Sequence, residues 1–111
     1  MEAKNRLKGL ALEVIEAVER LTDMKLPGDI MEIIPDDDEG IFIRFKKPEH
    51  FDSGEPIYYG VILFWDGDED TITALEVLDY REVLEEAKKP NPEPFTGLIR
   101  VWPPETKEEE T

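Results

Sequence analysis

From Ile57 to Trp65 the chain reads Ile57-Tyr58-Tyr59-Gly60-Val61-Ile62-Leu63-Phe64-Trp65, without one charged side chain. A run this apolar has no polar face to show to water. It is also too short for a buried helix and is rich in the β-branched and aromatic residues that suit a pleated surface. It therefore reads as a central strand, and the rest of the chain has to cover it. A second arm, Thr71-Ile72-Thr73-Ala74-Leu75-Glu76-Val77-Leu78, follows after Asp66-Gly67-Asp68-Glu69-Asp70. The Asp and Gly residues of that connection accept the backbone angles of a tight turn, so 57–79 reads as a β-hairpin.

The side-chain period of two assigns the faces once Trp65 is paired with Thr71. Tyr59, Val61, Leu63, Trp65, Thr71, Thr73, Leu75 and Val77 share one face; Tyr58, Gly60, Ile62, Phe64, Ile72, Ala74 and Leu78 share the other. The small Gly60 and Ala74 favour close approach of a helix on the second face. The first face, with Tyr, Trp and Thr tips, suits a half-covered surface or a partner.

That helix is supplied by residues 3–23, where Leu7, Leu10, Ala11, Val14, Ala17, Val18 and Leu21 follow helical spacing and Glu13, Glu16, Glu19 and Arg20 fall mostly elsewhere. Pro27-Gly28 stops it. Residues 29–34 then read as a short strand and 35–40 as a turn. Residues 41–46 read as a strand with Ile41, Ile43 and Phe45 on one side and Arg44 and Lys46 on the other. Residues 47–55 read as a loop. Beyond the hairpin, residues 80–89 form a short helix through Val83, Leu84 and Ala87, and Pro90, Pro92 and Pro94 impose an extended connection. Gly97–Trp102 looks like a last strand, and residues 105–111 a disordered acidic tail. The expectation is a single α+β domain over residues 1–104, with an N-terminal amphipathic helix packed on a four- or five-stranded antiparallel sheet.

At 111 residues with 40% hydrophobic content, such a domain buries a core without staples, and the absence of cysteine removes disulfides, thiolate metal sites and a cysteine nucleophile. Charges at Glu2, Lys4, Arg6 and Lys8 interrupt the N-terminal segment, and no apolar run approaches membrane-spanning length. The reading is a cytoplasmic protein that does not enter a membrane.

The net charge of −15 opposes contact with nucleic-acid phosphates or an anionic membrane and makes a basic protein the electrostatic complement. Residues 1–30 contribute only −1 of it, so the sheet-forming part carries the field. In a simple meander the turns Asp36-Asp37-Asp38-Glu39 and Asp66–Asp70 fall at one end of the sheet. The tail carboxylates join them there, giving one acidic pole of twelve carboxylates. These turns read as solvated loops, as a cation site, or as a docking surface. Asp66, Asp68 and Asp70 have the spacing that opens a calcium loop, but Thr71 stands where that loop needs glycine and Val77 where it needs a bidentate glutamate. No metal or cofactor is expected. His50 and Ser53 share a loop without the orienting third group or oxyanion donors of triad chemistry, and no glycine-rich phosphate loop is present, so the chain does not read as an enzyme.

Gly60-Val61-Ile62-Leu63-Phe64-Trp65, the acidic turn after it, Ile72–Leu78 and the closing Leu98-Ile99-Arg100-Val101 together resemble, loosely, small acidic immunity proteins of bacterial polymorphic toxin systems. That resemblance covers about half of the chain. It implies a helix followed by an antiparallel sheet, and neutralisation of a cognate toxin, often a basic nuclease. The leading expectation is a non-enzymatic inhibitor or immunity-type protein docking on such a partner. Asp36, Asp37, Asp38, Glu39, Asp66, Asp68, Glu69 and Asp70 would supply charge, and Tyr59 and Trp65 apolar anchors. Two alternatives stand beside it. The lack of Gln and Cys, with one Ser and two Asn, also suits a hyperstable or computationally designed scaffold without a natural ligand. A small-molecule module with a pocket between helix and sheet is the other.

Overall fold

A computed structural model describes residues 2–36, 39–68 and 70–92. Helix α1 (Glu2–Thr22) is followed by strands β1 (Glu32–Asp36), β2 (Gly40–Arg44), β3 (Ser53–Tyr58), β4 (Val61–Asp66) and β5 (Thr71–Val77), and by helix α2 (Tyr80–Ala87). The expected α+β class holds. The five strands are all antiparallel and lie in the order β1-β2-β5-β4-β3. Among the described residues no helix is long and apolar enough to cross a membrane.

The apolar stripe of α1 is buried at Ala11, Val14, Ile15, Ala17 and Val18. It ends at Asp23, whose backbone turns left-handed at φ 60° while its N–H still bonds the Glu19 carbonyl. The Glu19 carboxylate reaches past this turn to accept the Leu26 N–H at 2.8 Å, which fixes the exit of the chain and buries Leu26. Helix α2 starts as its sequence suggests, with Asp79 accepting from the Arg81 and Glu82 N–H groups as an N-cap. Its other end is held by α1: Arg20 donates Nε to the Ala87 carbonyl at 2.5 Å and a terminal nitrogen to the Lys89 carbonyl at 2.8 Å. A guanidinium thus satisfies carbonyls that a helix C-terminus leaves without partners, and ties the two helices together.

The sheet departs from expectation in four ways. First, residues 57–65 are not one strand: the chain reverses at Tyr59-Gly60, where Gly60 takes φ 69°, and the run is shared by β3 and β4. The left-handed angle, which glycine adopts without a Cβ clash, converts an apolar run into a second hairpin. Strand β3 accordingly begins at Ser53, inside the segment expected to be a loop. Five strands arise in this way without Gly97–Trp102; that segment and the 105–111 tail lie outside the described residues.

Second, the connection from β2 to β3 is no meander step. It passes β5 and β4, so β5 becomes the middle strand. Ile41 pairs with Val77 and Arg44 with Ala74, which puts the β1–β2 turn and the β4–β5 turn at opposite ends of the sheet. The single acidic pole does not form.

Third, Trp65 pairs with Ile72 and Asp66 with Thr71, while Phe64 pairs with Ala74, so a bulge at Thr73 shifts the register assumed from the turn. Fourth, the helix layer covers the opposite face from that expected. Ile41, Ile43, Val61, Leu63, Leu75 and Val77 form one buried cluster with Ala11, Val14 and Val18. Both faces of this hairpin are apolar, and small residues at Gly60 and Ala74 do not outweigh the larger aliphatic area on the other side; burying each such side chain contributes about 1.5–3 kcal/mol.

On the other face, which neither described helix covers, the sheet's own side chains pack together. The rings of Phe42 and Phe64 meet edge to face at 5.8 Å, and the Arg44 guanidinium lies 5.2 Å from the Phe42 ring centre. By register these side chains flank Ala74, which is fully buried. Gly54 lets the Phe64 ring lie across β3, since a Cβ there would come within 3.0 Å of it.

Candidate functional site

The residues expected to form one docking pole are divided between the two ends of the sheet, and the two ends differ in kind. Asp37, Asp38 and Glu69 lie outside the described residues. Asp66, Asp68, Asp70 and Trp65 belong to the β4–β5 end. Asp36, Glu39 and Tyr59 belong to the end where β1 meets β2 and β3 meets β4.

At the β4–β5 end, Asp66 is 1% exposed and has a structural task. Its Oδ2 accepts the N–H groups of Glu49 (3.1 Å) and His50 (3.0 Å), and its Oδ1 accepts the N–H of Asp68 (3.1 Å). One carboxylate thereby closes its own turn and pins the β2–β3 connection where it passes β4. Burial of a carboxylate is stable when it is hydrogen-bonded in this way. Asp52, from the same connection, accepts from Thr73 Oγ1 at 2.8 Å and from Arg44 Nη1 at 3.3 Å, a second tie to the sheet.

His50 Nδ1 stands 3.4 Å from Asp66 Oδ2 and 3.9 Å from Asp68 Oδ2, the one set of side chains among the described residues spaced for a metal ion. Asp66 already takes three backbone donors, so the group is accounted for as a hydrogen-bonded loop anchor. Nor does it use the Asp66, Asp68 and Asp70 spacing of a calcium loop, because Asp70 is absent from it and adopts φ 56° in the turn. Trp65 keeps 37% exposure, and Phe51, in the β2–β3 connection, is almost wholly exposed.

The opposite end is built differently. The Leu78 N–H bonds the Gly60 carbonyl, and the Tyr80 N–H bonds the Glu39 carbonyl, so both turns are stitched to the segment that links β5 to α2. Gly40 is needed here, since a Cβ would come within 3.0 Å of Asp36 and 3.4 Å of the Leu78 carbonyl. Tyr59 (48%) and Leu78 (55%) are exposed on either side of Gly60. Asp36 lies at the outer strand, four strand spacings from β3, or about 19 Å across the end. Glu39 pairs with Arg81 at 3.2 Å.

Behind Tyr59 is a cavity of about 170 Å³ lined by Tyr58, Tyr59, Glu82, Val83 and Glu86. The two tyrosine rings meet edge to face at 5.2 Å, with Tyr58 buried and Val83 buried beside it. Glu82 and Glu86 are one helical turn apart on α2 and so line the same side. Sequence reading missed α2 as part of any site. The available signal was Tyr-Tyr-Gly, a turn marker inside an apolar run, together with Glu82 and Glu86 bracketing the one buried residue of the second helix.

A larger hollow, about 580 Å³, runs along α2; among the described residues it is lined by Leu84 and six charged side chains, not by the mostly apolar walls of a small-molecule site. The space between α1 and the sheet is taken by the buried aliphatic cluster. No family model, curated protein or solved structure matches this chain.

Proposed function

We propose that the chain is a non-enzymatic acidic binding protein, of the inhibitor or immunity type, that docks a basic protein through the end of the sheet bearing Tyr59 and Leu78. A basic nuclease toxin is the partner that the immunity-protein resemblance would imply. The single observation that carries the choice of end is its concave shape: the exposed Tyr59 walls a cavity together with Tyr58, Glu82, Val83 and Glu86, and the exposed Leu78 is hydrogen-bonded through its backbone to the adjoining Gly60. Interfaces of this kind combine an aromatic centre with a charged rim, and complementary charge accelerates encounter. The β4–β5 end has exposed aromatics too, but its central carboxylate is consumed in holding the fold.

The test is affinity capture at low salt with three baits: the wild-type chain, Tyr59→Ala/Leu78→Ser, and Asp68→Asn/Asp70→Asn. The expected result is one basic protein in stoichiometric yield, released by a salt gradient, lost from the first variant and kept by the second. Retention that depends on Asp68 and Asp70 instead would move the docking surface to the other end.

A further inference from the structure

The cavity behind Tyr59 has a chemistry more specific than a general acidic surface. We infer that it is a receptor for one cationic side chain, an arginine or lysine of the docked protein, with the Tyr59 ring and the Glu82 and Glu86 carboxylates as its recognition groups. The inference rests on the docking reading above and names the group that the docked partner inserts.

Size points to a side chain. Small-molecule sites run to roughly 300–1,000 Å³, and this cavity, at about 170 Å³, falls below them. Composition points to a cation. An aromatic face attracts a positive group through its quadrupole, and a planar guanidinium both stacks on tyrosine and bonds carboxylates through paired N–H donors. Glu82 and Glu86 stand at i and i+4 on one side of α2, facing the Tyr58–Tyr59 pair across the cavity. The carboxylate of Glu86 pairs with the ammonium of Lys89 at 2.9 Å, an i,i+3 pair that the incoming cation has to share or displace. The floor is fixed before any guest arrives. Tyr58 and Val83 are buried members of the core, and the Leu78 to Gly60 hydrogen bond holds the tyrosine turn against the segment that starts α2. A preformed cavity avoids the cost of ordering loops on binding.

The experiment is an NMR titration of the full chain, labelled with ¹⁵N, using N-acetyl-arginine amide and, as a neutral analogue of the same shape, N-acetyl-citrulline amide. The arginine compound is expected to give saturable shifts centred on Tyr59, Gly60, Glu82, Val83 and Glu86, with the citrulline compound about tenfold weaker or worse. Glu82→Gln/Glu86→Gln should abolish the arginine response, and Asp68→Asn/Asp70→Asn should leave it intact; an unchanged amide spectrum of each variant confirms that it is folded. Equal binding of the two compounds, or shifts that survive Glu82→Gln/Glu86→Gln, would overturn the inference. The two readings fail separately. If arginine does not enter but capture still depends on Tyr59 and Leu78, the receptor falls and the docking surface stands. If arginine enters as described but capture ignores this end, the docking surface falls and the receptor stands.

Discussion

The two ends of the sheet each combine an acidic turn with an exposed aromatic residue, and finish with different tasks. At the β4–β5 end two carboxylates, Asp66 and Asp52, face inward. Asp66 and Asp52 accept six hydrogen bonds and ion-pair contacts from backbone, Thr73, Arg44 and His50, and so hold a long strand-skipping connection to the sheet. At the Tyr59 end the turns are tied to the start of α2 by backbone hydrogen bonds, and Tyr58, Tyr59, Glu82, Val83 and Glu86 line a cavity. Charge density in a sequence therefore does not mark a binding surface. What distinguishes the two is whether the carboxylate is needed to satisfy buried donors.

That contrast can be broken most sharply by mutation at its structural pole. Asp66→Ala should destabilise the fold by about 2–4 kcal/mol, because it leaves several backbone N–H groups buried without an acceptor. Asp68→Ala, two residues on and exposed, should fall within about 0.5 kcal/mol of wild type. Urea unfolding of both variants reads the difference, and equal effects would remove the distinction between the ends. Asp52→Ala should cost less, about 1–2 kcal/mol, by cutting the bonds from Thr73 and Arg44. The Tyr59 end should respond to backbone change instead of charge. Gly60→Ala is expected to cost about 1 kcal/mol, since alanine resists φ 69°, and Gly40→Ala should also destabilise through its contact with Asp36. Last, Tyr59→Ala should cost about 0.5–1.5 kcal/mol through its ring contact with Tyr58, while weakening partner capture far more.

Much of this fold is legible in the sequence. Helix α1 can be read because Leu7 to Leu21 keep a helical period over several turns, and α2 because Val83, Leu84 and Ala87 keep helical spacing ahead of the prolines that follow. Strand β5 and the alternation of Ile41, Ile43 and Phe45 against Arg44 follow from the period of two. Strand order is another matter. Periodicity fixes which residues share a face, but it carries no information on which strand lies beside which, so the skip from β2 to β3 could not be read and the two acidic turns seemed to meet. The side covered by α1 was ambiguous for a related reason: Ile62, Phe64 and Ala74 are as apolar as Val61, Leu63 and Leu75, and only the packed structure separates them. The cavity was hidden because it joins a turn glycine at residue 60 to a helix that begins twenty residues later.

The central claim, that the Tyr59 end and not the Asp66–Asp70 turn meets the partner, is tested most directly by a hydrogen-exchange footprint of the chain alone and bound to the captured basic protein. The account predicts new protection at Tyr59, Gly60 and the first turn of α2, with the amides of residues 67–71 unchanged. Protection confined to the β4–β5 turn and the loop around Phe51, with Tyr59 and Gly60 exchanging as in the free chain, would contradict it.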